Sequence, residues 1–318
     1  MGGVTTSDLA RRATALLLAG ARPRDVRARL LAGDDLAEAE KAEVGSGWAV
    51  ALGEEGYPVA LAAIAAPPPV LFGRGDPAAM SLGVAVVGTR RATALAAATV
   101  PAIVAAVADL GVPVHSGLAV GVDARAHEAA LAAGLRTTAV LATHPDAVTP
   151  RENGDLAERI LAGGGALVGE QPPGVIERTA PRLLARNRIT AGLSSVVAPG
   201  EMGVPSGTWT CVLDALGAGR SVVVPRPKGR WRGEPGAQGL LALAGETRLP
   251  RESITLTTRL AAWVDKGQPL ANAVADSPDD LRWMIRLGHL LVDEALEARV
   301  PAGVATGTVV SETRSDDE

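Results

Sequence analysis

The chain has 318 residues, a formal net charge of −4 at pH 7 and an aromatic content of only 2%. With 47% hydrophobic residues it can bury one large core, which alanine, valine and leucine must fill because rings are scarce. The negative charge excludes a protein that is basic over its whole surface, so any phosphate-binding site must be local.

Cysteine and histidine are too sparse for a disulfide framework or a metal site. Cys211 is the only cysteine, and the four histidines, at positions 115, 127, 144 and 289, show no recognisable ligand spacing. We therefore expect a reducing compartment, with no disulfide, no metal ion and no other cofactor.

The sequence shows no targeting or membrane signal. Arg11 and Arg12 interrupt the apolar residues near the amino terminus, and no stretch reaches the roughly 20 uncharged apolar residues of a membrane span. We expect a cytoplasmic protein without a membrane partner.

Two segments precede the main pattern of the chain. Residues 1–53 predict an N-terminal helical module, with two or three short helices over 6–45 and a break at Pro23. Residues 54–82 form a lead-in segment, in which the prolines of Pro67–Asp76 stiffen the chain ahead of a short strand. We interpret this segment as a joint and not as a site.

Residues 83–245 alternate between short apolar runs and helical segments, which predicts an α/β core. The runs are continuously apolar, as expected for strands covered by helices on both faces of a parallel sheet. The predicted strands are 84–88, 112–115, 137–142, 166–169, 194–198 and 221–225, and the predicted helices are 92–110, 123–134, 153–163 and 208–218. We expect a Rossmann-like, doubly wound, mainly parallel sheet with its ligand crevice at the carboxyl ends of the strands.

The last part of the chain, residues 246–318, predicts a C-terminal helical appendage. One helix is expected at 278–297, and its apolar stripe over 281–296 indicates packing or a subunit contact. The polar residues 311–318 predict a disordered tail.

Four glycine-containing segments recur in the core beside small hydroxyl and charged residues. We interpret each as the end of a strand before a helix, where bare backbone N–H groups and helix amino termini attract phosphate. Arginine adds a guanidinium fork that binds phosphate through two hydrogen bonds. The candidate phosphate-binding residues are Gly88, Thr89, Arg90, Ser116, Gly117, Gly121, Arg186, Asn187, Arg188, Ser206 and Gly207.

Four further residues are candidates for a supporting role: Asp123, His127, Asn153 and Arg220. Asp123 cannot hold a phosphate directly, so we expect it to cap the following helix or to orient an arginine. His127 lies on the same helix face, which allows an acid–base pair, a metal ligand or a structural histidine bonded to a loop carbonyl.

A dense positive stretch runs from Arg220 to Arg232 and surrounds Trp231. Such a stretch could clasp a nucleic-acid backbone and stack one base, or form a solvated loop that Glu234 partly neutralises. The sequence leaves both interpretations open.

The order of eight short motifs resembles the DNA-processing protein A family (DprA, also called Smf). They are Gly88-Thr-Arg90, Ser116-Gly-Leu-Ala-Val-Gly-Val-Asp123, Ala126-His127, Pro150-Arg-Glu-Asn153, Glu170-Gln-Pro172, Arg186-Asn-Arg-Ile-Thr-Ala-Gly-Leu-Ser194, Ser206-Gly-Thr208 and Gly219-Arg220. The resemblance covers 84–225 strongly and 54–76 moderately. It implies a Rossmann-like protein, not an enzyme, that binds single-stranded DNA as a homodimer. It also implies that the protein loads a RecA-type recombinase onto that DNA during natural transformation and recombination.

The chain departs from the family pattern at four positions. Val120 stands where the family usually has arginine, and Leu183 where it has phenylalanine. Gln238 stands where the family has asparagine, and the strand-end glutamate expected after Val197 is Ala198. These changes remove one phosphate contact and one apolar anchor from the expected site.

Two other functions fit the same core. A regulatory module that senses a nucleotide or nucleotide-derived signal suits the acidic charge of the chain. The second is a nucleotide hydrolase of the LOG group. Pro199-Gly200 and Gly207-Thr208 weakly resemble the motif of that group, but Cys211 stands where the group has its catalytic glutamate.

Overall fold

The computed structural model describes residues 6–247 and 270–298. Within these residues the strands, in chain order, are β1 Trp48–Ala51, β2 Val70–Gly75, β3 Gly83–Gly88, β4 Val114–Ser116, β5 Thr137–Leu141, β6 Ala166–Gly169, β7 Ser194–Glu201, β8 Ser221–Pro225 and β9 Ala273–Ala275. The helices are α1 Asp8–Leu18, α2 Pro23–Leu31, α3 Val59–Ala62, α4 Ala94–Ala108, α5 Val122–Ala132, α6 Gly154–Ala162, α7 Ala180–Gly192, α8 Thr208–Gly217, α9 Gln238–Leu243 and α10 Pro278–Glu297.

These strands form one sheet in the spatial order β1-β2-β6-β5-β4-β3-β7-β8-β9. The pairs β1–β2 and β2–β6 are antiparallel, and the pairs from β6 through β9 are parallel. The chain builds outward from β3 in one direction through β6 and then returns to β7 on the other side of β3. The strand order therefore reverses between β3 and β7, where an α/β sheet opens a ligand crevice.

Helices cover both faces of this sheet. Val84 and Val86 of β3 lie in a buried cluster with residues of α4, α5 and α10, whereas Ala85 and Val87 lie in a second cluster with residues of α8 and α9. Both faces are therefore buried, which explains why the strands are mainly apolar. The predicted Rossmann-like, doubly wound and mainly parallel sheet is confirmed.

Most predicted elements of the core are confirmed, with ends that shift by three residues or fewer. These are the strands β3 to β8 and the helices α4, α5, α6, α8 and α10. The break at Pro23 is also confirmed, because this proline opens α2, where no intrahelical N–H bond is lost.

The prediction for Arg186–Ser194 was wrong. This segment is the second half of α7 followed by the start of β7, not a strand end before a helix. Thr179 caps the helix by accepting a hydrogen bond from the Arg182 N–H, and Pro181 lies in its first turn. The arginines of this motif are therefore held on a helix.

Three strands lie outside the predicted core. The segment 48–51, expected to belong to a helical module, is β1, and the lead-in segment supplies β2. In the C-terminal segment, Ala273–Ala275 forms β9 beside β8. The boundaries at 53, 82 and 245 stay predictions, and the expected tail at 311–318 lies outside the described residues. No helix within the described ranges is long and apolar enough to cross a membrane.

Candidate functional site

A cavity of about 440 Å³ opens at the carboxyl ends of the strands, where the order reverses between β3 and β7. Its size is within the usual range of small-ligand pockets. Its walls come from the end of β3, the loop before α5, the helix α7 and the turn into α8. The predicted site residues that line it are Gly88, Thr89, Arg90, Asp123, Arg186, Asn187, Ser206 and Gly207.

Arg186 supplies a buried positive charge to this cavity. Arg186 is 7% exposed, and its Nη1 donates a hydrogen bond to the Val140 carbonyl oxygen at 2.8 Å. Its Nε has no hydrogen-bond partner, and no ion pair joins it to a described residue. Because a buried charge that no carboxylate contacts is costly, this guanidinium favours an anion in the cavity.

Several charges act on Arg186 at once. Burial lowers its pKa, the positive charge of Arg90 acts in the same direction, and the carboxylate of Asp123 opposes both. An arginine starts from so high a pKa that it stays protonated at neutral pH. The cavity therefore keeps a positive charge on its wall.

Asp123 lies in the first turn of α5 and is almost fully buried. Burial raises the pKa of this carboxyl, and the positive charge of Arg186 opposes the rise. The attraction between the two side chains supports the expectation that Asp123 orients an arginine, which stays a prediction.

Three of the predicted glycines are packed against the protein's own atoms. A Cβ on Gly88 would lie 2.5 Å from the Glu201 carbonyl oxygen, and one on Gly117 would lie 1.5 Å from Nη1 of Arg186. Gly121 has a φ of 92°, and a Cβ at this residue would lie 2.3 Å from the Thr89 carbonyl oxygen. These glycines therefore allow the walls of the cavity to approach each other closely.

Gly207 differs from those glycines because nothing lies within 4 Å of an added Cβ. It precedes α8, and the Thr208 N–H donates to Ser206 Oγ at 3.2 Å. Asn187 Nδ2 donates to the Gly207 carbonyl oxygen at 3.3 Å and so joins α7 to this turn. The amino terminus of a ten-residue helix thus faces the cavity, and such termini attract anions.

Arg188 lies outside the cavity. Its Nη1 and Nη2 donate to the two carboxylate oxygens of Glu170 at 2.7 and 2.6 Å, and its Nε donates to the Ala66 carbonyl oxygen at 2.8 Å. Arg188, which was predicted to bind phosphate, instead forms a bidentate ion pair that joins α7 to the loop after β6.

The remaining predicted residues hold the scaffold behind the cavity. Ser116 Oγ donates to the Val86 carbonyl oxygen at 2.6 Å, and Asn153 Nδ2 donates to that of Leu118 at 2.8 Å. Arg220 is buried, and its Nη2 donates to the Ala60 carbonyl oxygen at 2.7 Å. These contacts place Ser116, Asn153 and Arg220 away from the cavity lining.

His127 is a fully buried histidine. Its Nδ1 lies 2.7 Å from Oγ1 of Thr137, which donates its own proton to the Val114 carbonyl oxygen at 2.8 Å. His127 therefore donates from Nδ1, to a hydroxyl rather than to the expected loop carbonyl. Within the described residues, no three His, Cys, Asp or Glu side chains form a possible metal site.

Sequence reasoning missed two residues at this end of the sheet. Glu201 is fully buried at the end of β7, and its Oε2 accepts from the N–H groups of Thr93 and Ala96 at 2.9 and 3.1 Å. Cys211 lines the cavity, and burial raises the pKa of its thiol. The signal for Glu201 was a carboxylate at the end of an apolar run, three residues beyond the expected position at Ala198.

The chain matches a family model described as DNA recombination-mediator protein A over residues 48–248. It is 36% identical over 171 residues to DNA processing protein DprA of Bacillus subtilis, covering 52% of this chain and 56% of that protein. It is 37% identical over 189 residues to protein Smf of Escherichia coli, covering 58% of this chain and 49% of that protein. The chain thus spans about half the length of these relatives.

Two solved structures share the fold. DNA processing protein A of Streptococcus pneumoniae superposes with a TM-score of 0.57 at 28% identity, over 70% of this chain and 76% of that one. DNA processing protein A of Helicobacter pylori does so with a TM-score of 0.54 at 24% identity, over 67% of this chain and 98% of that one. The second likeness is evidence of the fold alone.

Proposed function

The chain belongs to the DNA recombination-mediator protein A family, and on that premise we propose that it binds single-stranded DNA through the cavity between β3 and β7. A DNA phosphate enters this cavity and pairs with Arg186. Arg90, at the exposed rim, adds a second positive charge.

The observation that carries this proposal is the buried guanidinium of Arg186, which lacks an ion pair within the described residues. A phosphate oxygen in the cavity would supply that partner, and the amino terminus of α8 would add N–H donors on another wall. The matched relative from Bacillus subtilis is a DNA processing protein, which supports a DNA ligand here.

The ligand class is tested by fluorescence-anisotropy titration of the protein with a labelled oligonucleotide, single-stranded or duplex. We expect tighter binding of the single strand, because a duplex holds its phosphates in a rigid array that cannot enter a recessed cavity one at a time. Equal affinity for both forms would contradict the proposal.

A second candidate is a sensor of a free nucleotide. The cavity has the size of a small-molecule pocket, and the chain's net charge of −4 disfavours a long polyanion. The same titration distinguishes this candidate when a free nucleotide is added as competitor. The sensor is supported, and the DNA proposal contradicted, if the protein binds neither DNA form and a free nucleotide raises its melting temperature.

We also propose that the protein loads a RecA-type recombinase, as the resemblance to its family implies. Loading would be measured as the lag before a RecA filament forms on single-stranded DNA coated with single-strand-binding protein. A shorter lag in the presence of this protein is expected, and an unchanged lag would contradict the proposal.

For the homodimer, we propose α10 as the contact. Four apolar residues lie exposed on this helix at helical spacing: Trp283 at 64%, Leu287 at 38%, Leu290 at 53% and Leu291 at 55%. Arg286 precedes Leu290 by one turn and Glu294 follows it by one turn, so an antiparallel pair of helices would place opposite charges together.

Sedimentation at micromolar concentration should show a dimer that Leu290→Asp converts to a monomer, and a wild-type monomer would contradict this contact.

A further inference from the structure

The turn after β8 carries an arginine that lies on a tryptophan ring. Arg230 Cζ is 4.3 Å from the centroid of the Trp231 ring, within cation–π distance. Arg230 is exposed, whereas Trp231 is partly buried and packs on the cluster of α8 and α9. The ring therefore has a fixed support, and the guanidinium lies against it.

Neighbouring positive charges in this turn are already paired. Arg226 and Arg232 each form an ion pair of 2.6 Å with Glu246, and Lys228 lies 3.4 Å from Asp276. Arg230 forms no ion pair with any residue in the described part of the chain. Its charge is therefore available to a ligand.

This turn lies at the same edge of the sheet as the cavity. The Met202 N–H donates to the Gly236 carbonyl oxygen at 2.9 Å, and the Gly239 N–H donates to that of Met202 at 2.9 Å. These bonds join the segment after β7, which continues into the cavity wall, to the segment that carries Trp231. Strands β8 and β3 are two positions apart in the sheet, about 10 Å.

We infer that Arg230 and Trp231 form a second contact for the same single strand, on which one nucleobase stacks while a phosphate occupies the cavity. Nucleobases stack on aromatic rings and on guanidinium planes. Arg230 covers the Trp231 ring, so the exposed guanidinium is the surface for the nucleobase and the ring holds it in place. Trp48 and Trp209 are buried and cannot serve in this way. The inference rests on the proposed function, because it requires that the cavity binds single-stranded DNA.

The test compares a thymine oligonucleotide with a strand of equal length whose sugars carry no bases. Trp231→Leu keeps an apolar group against the core but removes the ring, and Trp231→Phe keeps a ring. Arg230→Gln removes the exposed guanidinium without touching the core. Arg159→Gln is the matched control for Arg230→Gln, because Arg159 is exposed in the last turn of α6, which leads into β6, five positions from β8 in the sheet.

Wild-type protein should bind the thymine strand more tightly than the base-free strand. Trp231→Leu should lose about tenfold in affinity for the thymine strand and nothing for the base-free strand. Trp231→Phe should retain most of the affinity, Arg230→Gln should weaken binding of the thymine strand, and Arg159→Gln should behave as wild type.

Two results would overturn the inference while the proposed function stands: wild-type affinity of Trp231→Leu for the thymine strand, or equal losses on both strands. An equal loss in Arg159→Gln would also overturn it, because the effect would then not belong to this turn. If wild-type protein binds neither strand, the proposed function fails and the stacking contact fails with it.

Discussion

Gly117 lies directly behind the cavity-lining Arg186: a Cβ on Gly117 would lie 1.5 Å from Nη1 and 2.2 Å from Cζ of the arginine. The guanidinium lies where a side chain of residue 117 would be. Glycine at this position therefore fixes the place of the charge, and the ligand need not approach the backbone there.

Gly117→Ala should displace Arg186, because real side chains do not tolerate such a separation. We expect DNA affinity to fall at least tenfold, together with a loss of about 1–3 kcal/mol in the free energy of unfolding from overpacking. Anisotropy titration and urea unfolding measure the two effects.

Gly207→Ala is the matched control for that substitution. Nothing lies within 4 Å of the added methyl, and Gly207 has φ of −64°, so the fold should keep its stability within about 0.5 kcal/mol. A stability loss equal to that of Gly117→Ala would contradict the packing role of Gly117.

Arg188→Ala should act on stability, because the side chain is committed to Glu170. Their side chains are 21% and 12% exposed, so breaking the pair should cost about 2 kcal/mol in the free energy of unfolding, between the values for surface and buried pairs. Urea unfolding of Arg188→Ala, Glu170→Ala and the double variant measures the coupling. Additive losses from the two single changes would contradict it.

Arg182→Ala is the control on the same helix. Arg182 donates from Nη1 to the Glu177 carbonyl oxygen at 2.9 Å at the protein surface and has no carboxylate partner among the described residues. Its removal should change the free energy of unfolding by less than about 0.5 kcal/mol.

The buried histidines predict how stability depends on pH. Burial lowers the pKa of His115 to about 4 and that of His127 to about 3. Below pH 6.5 the unfolded chain binds protons at these positions and the folded protein does not, so stability falls as the pH falls. Each histidine contributes up to about 1.4 kcal/mol per pH unit in that range.

His127→Asn isolates one of these contributions. The amide keeps a donor near the position of Nδ1, which bonds Thr137, but it does not titrate. The free energy of unfolding should therefore fall less steeply between pH 7 and pH 5 than in the wild type. Parallel curves for the two proteins would show that His127 is not buried in its neutral form.

Glu201→Ala should weaken the start of α4, because Oε2 accepts hydrogen bonds from the N–H groups of Thr93 and Ala96. We expect a loss of about 2 kcal/mol in the free energy of unfolding, typical of a lost helix cap and a lost buried acceptor. Glu201→Gln keeps an acceptor oxygen and should retain part of that energy. An unchanged urea midpoint in the alanine variant would contradict this capping role.

The sequence predicted the core of the fold because its signals are local. The apolar runs from Val84 to Pro225 and the helices between them each carry their own periodicity. Strand β1 was missed because its four residues are held by pairing with β2, and α7 was missed because Gly192 and the arginine-rich motif resemble a loop. Partners distant in the chain decide both elements.

The candidate site stays a prediction, although the structure places eight of its residues in the lining of one cavity. Gly88, Arg90 and Ser206 lie in one crevice because they follow β3 and β7, and carboxyl ends of parallel strands meet at one edge. Arg186 reaches the same crevice from α7, which the sequence did not predict. The sequence cannot show that Arg188 is held by a carboxylate 18 positions earlier in the chain. The two arginines lie two residues apart on α7. The directions of their side chains decide that Arg186 lines the cavity and that Arg188 contacts Glu170.

The most direct test of the central claim is the salt dependence of single-strand binding by wild type, Arg186→Gln and Arg186→Lys, with circular dichroism to establish that each is folded. Removing the charge should weaken binding and reduce the slope of log K against log salt by about 0.7, the value for one contact to a single strand, while lysine should restore most of the slope. A folded Arg186→Gln protein with wild-type affinity and slope would contradict the assignment of this cavity to a DNA phosphate.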